Sequence, residues 1–322
     1  MRWMPVLLAM AAAVATVPAG AQSTAQPVET AREIAAGSLI ILPDFALTIE
    51  RQDVTLSRDS IRIVYAIAND SPEPRTLQVT FPLPDLDATA LADQTINLPN
   101  PDPVNFVGAV YAADGVERPA GFEQRALAFG LDVTADLTAA GIPLYPYLSA
   151  TAERLARLPE ALRTDLTERG VVRIDNGRIY PGWTLRTTAY WRQTFAPGKT
   201  TVLALNYQPI AGSTPASSAA IDGLREPYCL TAAAEAAIAR RPSVPAQAGP
   251  AAIRLSWVHY ALTSGSSWVP PVARFRLHVV KPTPDSLVAT CRKGGRPVGP
   301  TVLEWKAEDF YPDDDVLVLF IR

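Results

Sequence analysis

Histidine and cysteine, which most catalysts and metal centres lean on, are almost missing here: two of each in 322 residues. Histidine is the commonest general base, and only His259 and His278 exist. Both fall in alternating, strand-like sequence, His259 on the same face as Trp257, and read as structural side chains. The two cysteines form no CxxC pair, and the histidines are not placed to complete a zinc site with them. GxSxG, HExxH, a phosphate-cradling glycine loop and an EF-hand pattern are all absent. Charge of one sign is lacking too. Lysine and arginine total 29 against 32 acidic residues, for a net charge of −3. That balance excludes the basic surface nucleic acid demands, and no polybasic membrane patch is visible. Beyond the first 20 residues no apolar run approaches the roughly 20 residues a membrane helix needs.

What is present starts with an export signature. Arg2 supplies a positive start, residues 6–17 are apolar, and Ala19-Gly20-Ala21 matches a small-x-small cleavage site. The expectation is cleavage after Ala21, a mature start at Gln22, and a periplasmic location, with an extracellular one as the alternative. In an oxidising compartment an even cysteine count suggests a disulfide. Joining Cys229 to Cys291 would stabilise the fold by about 4 kcal/mol on the chain-entropy account.

The body reads as mainly β, a β-rich α+β chain of antiparallel, sandwich-like sheets with a helical insert. Residues 22–37 form an N-terminal segment, where 31–36 suit one helical turn. A first strand region follows over 38–112. There Ile61, Ile63, Tyr65 and Ile67, then Leu77, Val79 and Phe81, alternate with a period of two until Pro82 and Pro84 stop the pattern. Residues 113–182 hold the helical insert and its connections. Leu155, Leu158, Leu162 and Leu166 share one helical face, Pro159 opens the second helix and Gly170 ends it. A second strand region spans 183–322. Its longest strand turns Trp183, Leu185, Thr187, Ala189, Trp191, Gln193 and Phe195 to one side. Residues 211–220, rich in Gly, Ser, Ala and Pro, read as a loop, and residues 231–241 as one additional helix.

Chemistry has few places to reside. Asp85, Asp87, Asp102 and the run Asp313-Asp314-Asp315 sit in turns. Loop carboxylates are what calcium takes, but turns select Asp for local hydrogen bonding in any case; no metal and no cofactor is assigned. Among the aromatic residues, Trp183 and Trp191 belong to the core. Tyr190 and Tyr260, on the opposite faces of their strands, and Trp268 are surface candidates for stacking on sugars or gripping peptides. With Asp85 and Asp87 they make up the candidate ligand surface.

Short segments in order along the chain resemble the bacterial exported family catalogued as domain of unknown function 4424. They are Phe81-Pro82-Leu83-Pro84-Asp85, Asn105-Phe106-Val107-Gly108, Glu123-Gln124-Arg125-Ala126, Trp183 with Tyr190-Trp191 and Gln193-Thr194-Phe195, Tyr228-Cys229-Leu230, residues 260–268, and Asp309-Phe310-Tyr311-Pro312. The resemblance implies a glycine just after Trp268, where this chain has Val269-Pro270-Pro271. The resemblance implies an envelope location and no established activity, so no catalytic residue is carried over. The leading expectation is a non-catalytic binding or scaffold module whose partner is an envelope protein or a glycan, met through the insert at 134–170. The alternative is a carbohydrate-active or other hydrolase using loop carboxylates.

Overall fold

The computed structural model describes residues 35–41, 44–90, 98–240, 253–265 and 271–322. The expected signal peptide (residues 1–21) and Trp268 lie outside them. Among the described residues no helix is long and apolar enough to cross a membrane.

The alternation in the sequence becomes two packed sheets. In the first, Arg75–Pro82 and Gly121–Ala128 flank Thr184–Phe195, with Leu131–Asp132 and Ile40–Ile41 at the margins and Leu86–Asp87 beside the start of the central strand. In the second, eight strands run in the order Arg296–Pro297, Val302–Phe310, Val272–Val280, Leu47–Leu56, Ile61–Asn69, Thr200–Tyr207, Val110–Ala113 and Val116–Arg118. The inner faces meet ring against ring. Phe81 lies 5.0 Å from Tyr207 and Trp191 lies 4.8 Å from Tyr111, centroid to centroid. Period-two burial is what a strand covered on one face produces. From Trp183 to Phe195 every odd position is buried and none of the even ones is.

Both sheets draw strands from both regions of the chain. Arg75–Pro82 pairs with Thr184–Phe195, and Leu47–Leu56 pairs with Val272–Val280. Regions 38–112 and 183–322 therefore share sheets, a point the alternation left open. Most pairs are antiparallel, but the Leu47–Leu56 and Val272–Val280 pair is parallel. Of the expected helical turn at 31–36, residues 31–34 lie outside the described residues, and Ala35–Ala36 is a short strand parallel to His259 and Tyr260.

A third sheet of Ala35–Ala36, Arg254–Tyr260, Val316–Ile321, Leu287–Ala289 and Gly212–Pro215 closes the core. Val258, Tyr260, Val318 and Phe320 join the main core, while Leu255, Trp257 and Leu319 face outward beneath two helices, Ser218–Arg225 and Ala232–Ala239. The first helix begins inside the expected loop 211–220, which also holds the short strand Gly212–Pro215. Ser217 caps it by accepting from Ala220 N at 3.1 Å, and Ala220 and Leu224 are buried against the sheet. Cys229 follows this helix and is joined to Cys291 by a disulfide, which fastens the helical layer to the loop beyond Leu287–Ala289.

The insert forms Thr134–Ala139, Ser149–Ala156 and Glu160–Glu168. Leu155, Leu158 and Leu166 are buried with Leu137, Val172 and Trp183 in a small core of their own. Trp183 donates its indole N–H to the Leu144 carbonyl at 2.7 Å, so the long strand begins anchored to the insert. The insert ends in the hairpin Val172–Asp175 and Arg178–Pro181.

Candidate functional site

A cleft of about 1040 Å³ opens between the first sheet and the end of the insert. The upper part of the range for small-molecule sites is about 1,000 Å³. Its near lip is where proline stops the Arg75–Pro82 strand. Leu83 N still bonds the Thr187 carbonyl at 2.9 Å. The chain then leaves the ladder over Pro84, which is buried, and Asp85, which is exposed, before Leu86–Asp87 rejoins the sheet beside Leu185 and Thr184. Asp85 is carried on this excursion. Its carboxylate takes Arg186 Nη2 at 2.7 Å and Nε at 3.2 Å, a forked pair. Asp87 turns inward to the backbone, its Oδ1 accepting from Thr89 N at 2.7 Å and Ala90 N at 2.9 Å.

The far lip belongs to the insert. The strands Gly121–Ala128 and Leu131–Asp132 are joined by Phe129 and Gly130, both in the left-handed region, at φ 49° and 80°. A two-residue hairpin turn needs that conformation at both positions, and here it projects Phe129, 88% exposed, beside the cleft mouth. Ile174, also exposed, stands on the neighbouring hairpin. At the rear, Gly182 approaches the backbone so closely that a Cβ there would lie 2.7 Å from the Gly170 carbonyl oxygen.

Arg173 lines the same cavity. Its guanidinium carbon sits 4.9 Å from the centre of the Tyr180 ring. Its Nε is buried without an acceptor, and none of the described carboxylates pairs with it. The cleft thus holds one committed arginine, Arg186, and one uncommitted one.

The expected ligand-surface residues divide. Asp85 and Asp87 share the cleft. Tyr190 is 40% exposed on the outer face of the long strand and lies over Gly121. It is two pleats beyond Arg186, about 14 Å along the strand, in a smaller hollow with Arg118 and Arg192. Tyr260 is a correction: it is fully buried. Its strand is covered on both faces, so alternation could not mark an outer side, and its hydroxyl shares a 2.5 Å hydrogen bond with Ser38 Oγ. Burial pushes that phenol well above its usual range. Arg173, Phe129 and Ile174 went unnoticed in the sequence because an insert read as helical gave no reason to look for a hairpin there.

The histidines are structural. His278 Nε2 lies 2.9 Å from Glu304 and His259 Nε2 lies 3.0 Å from Asp315. Asp315 also accepts from the Thr263 hydroxyl at 2.6 Å and from Thr263 N at 3.0 Å. Burial works to raise the Asp315 carboxyl, but the hydrogen bonds from His259 and Thr263 outweigh it and hold it at about 2. Among the described residues no group of three or more His, Cys, Asp or Glu could hold a metal ion.

A β-rich body of shared sheets, with a helical insert walling one cleft, is the class of protein this geometry defines. The chain belongs to the family described as "Domain of unknown function (DUF4424)", whose profile matches residues 29–319. Among solved structures, it is similar to a candidate nutrient-binding protein of Legionella pneumophila. The identity is 12%, over 89% of this chain and 70% of that one, with a TM-score of 0.47. It also aligns with an M1 zinc metallopeptidase of Deinococcus radiodurans at 11% identity, over 91% of this chain and 45% of that one, with a TM-score of 0.27. Likeness this low carries no functional argument. No curated protein matches.

Proposed function

We propose that this chain is an exported, non-catalytic binding module of the cell envelope that holds its ligand in the cleft between the first sheet and the insert. The observation that carries the reading is the cleft itself: ligand-sized, with apolar side chains such as Leu83, Leu127 and Val172 and charged ones such as Asp85, Arg173 and Arg186 in its lining. Export rests on the positive start, apolar run and cleavage pattern of residues 1–21, and a disulfide is at home in an oxidising compartment.

Two measurements test it. Fractionation with N-terminal sequencing is expected to find a periplasmic chain beginning at Gln22; a cytoplasmic chain beginning at Met1 would remove the export claim. Native mass spectrometry of the protein purified from the envelope is expected to show a bound small molecule, diminished by the paired change Phe129→Ser and Ile174→Ser. These two exposed side chains can be changed without opening the core. Deleting 134–170 is unsuitable as a test, because those residues share a core with Trp183 and Ala126.

A hydrolase is the second reading, favoured by one observation: Asp85 and Asp87 line the same cleft. Against it, Asp85 has both oxygens on Arg186 and Asp87 caps a turn. Turnover of a glycoside or ester panel that disappears in Asp85→Asn would move the assignment to this reading.

A further inference from the structure

We infer that the ligand of the cleft is a small amphiphilic carboxylate, with its apolar chain in the cavity and its head group on Arg173. The inference rests on the cleft being a binding site and adds the chemistry of what it takes. Pro82, Leu83, Pro84, Leu127 and Phe129 give the cavity hydrocarbon walls, which reward an apolar chain. Such a wall would take a neutral ligand equally well; Arg173 is what breaks the tie.

Two arginines line the cavity, and they differ. Arg186 spends its fork on Asp85. Arg173 has the face of Tyr180 on one side and no carboxylate among the described residues. Its Nε is both buried and without an acceptor. That atom is closed off from the cavity, so what a ligand can meet is the rest of the guanidinium, which no hydrogen bond or ion pair among the described residues takes. A carboxylate matches the planar guanidinium in shape and charge. The lining acids do not compete. Asp85 is neutralised by Arg186, and Asp87 is turned onto backbone N–H groups. A single uncommitted arginine beside hydrocarbon side chains suits a monoanion.

The test uses the mature protein and a matched pair of probes, decanoate and decanol, titrated calorimetrically at pH 8. Decanoate is expected to bind at least tenfold more tightly. Arg173→Gln is expected to erase that preference while leaving decanol binding unchanged. Arg173→Lys is expected to restore part of it. Arg178→Gln removes the other arginine over the Tyr180 ring, at 5.9 Å, without touching the cavity lining, and is expected to keep the preference. An unchanged melting temperature shows that Arg173→Gln is folded. Equal binding of acid and alcohol, or a preference that survives Arg173→Gln, overturns the carboxylate inference and leaves the binding cleft standing. Binding of neither probe overturns the inference, and with an empty native mass spectrum the cleft reading falls as well.

Discussion

Asp85 and Arg186 are 101 residues apart in the chain and meet as a forked ion pair across the near lip of the cleft. Each side chain is about half exposed, at 40% and 53%. Water and salt screen such a pair, so its worth to the fold is about 0–1 kcal/mol. Asp85→Asn is therefore expected to leave the melting temperature almost unchanged. Should it lower stability by several kcal/mol in urea unfolding, the lip is held by something other than this geometry.

The disulfide carries far more. Replacing Cys229 and Cys291 together by serine is expected to cost about 2–5 kcal/mol, since the bridge restrains a long loop in the unfolded chain. The wild type in reductant should follow the double variant in denaturant titrations. Coincident curves for oxidised wild type and variant would contradict the bridge.

Asp315 makes the fold sensitive to acid. Its folded-state carboxyl titrates at about 2, below the ordinary value of 3.8. A depressed acid stabilises the fold above its unfolded value and loses that contribution as pH falls from about 4 through 2. Allowing for solvent screening, Asp315→Asn should cost about 1–2 kcal/mol at pH 7. The gap between wild type and variant should close over that acidic window, as read by chemical denaturation. A gap independent of pH would mean that Asp315 acts by packing alone.

The insert's small core is built on buried leucines. Leu155 is fully buried in the small core beside Trp183, and Leu155→Ala is expected to cost about 2–5 kcal/mol. Hydrogen exchange should locate the loosening in residues 134–182. Uniform loosening of the whole chain would show that insert and sheets unfold as one unit.

Gly182 sets the rear of the cleft. The carbonyl oxygens of Gly170 and Val171 would lie 2.7 and 3.0 Å from a new Cβ, and these are backbone atoms with little room to yield. Gly182→Ala is expected to destabilise by about 1–3 kcal/mol and to weaken any cleft ligand. Wild-type stability in that variant would show that the two segments are less closely apposed.

The strands were legible wherever one face is covered. Thr184–Phe195 shows its register residue by residue because its outer side meets solvent. The turn at Asn105 rests on local bonds. Its side chain accepts from Ala109 N at 2.8 Å and donates to Ala109 O at 3.0 Å, while Gly108 takes φ 60°. Tyr260 misled because its strand is enclosed on both sides. The helix Ser218–Arg225 was hidden by composition, since Ser, Ala and Gly suit loops until a cap and a facing sheet select helix. Of the candidate site, the sequence pointed to one lip through the prolines and Asp85. The other lip arises from long-range packing of the insert, which no local pattern records.

The parallel pairing of Leu47–Leu56 with Val272–Val280 also sets a timetable. Gln52 faces Phe275 in register, so the middle of the eight-stranded sheet stays open until that late strand has been made. Closing so long a loop is entropically slow, and pairings this distant place a protein among the slow folders. During synthesis Leu47–Leu56 has an unsatisfied edge for most of the chain's length. A strand edge kept waiting is the place where aggregation begins, or where a holding chaperone binds.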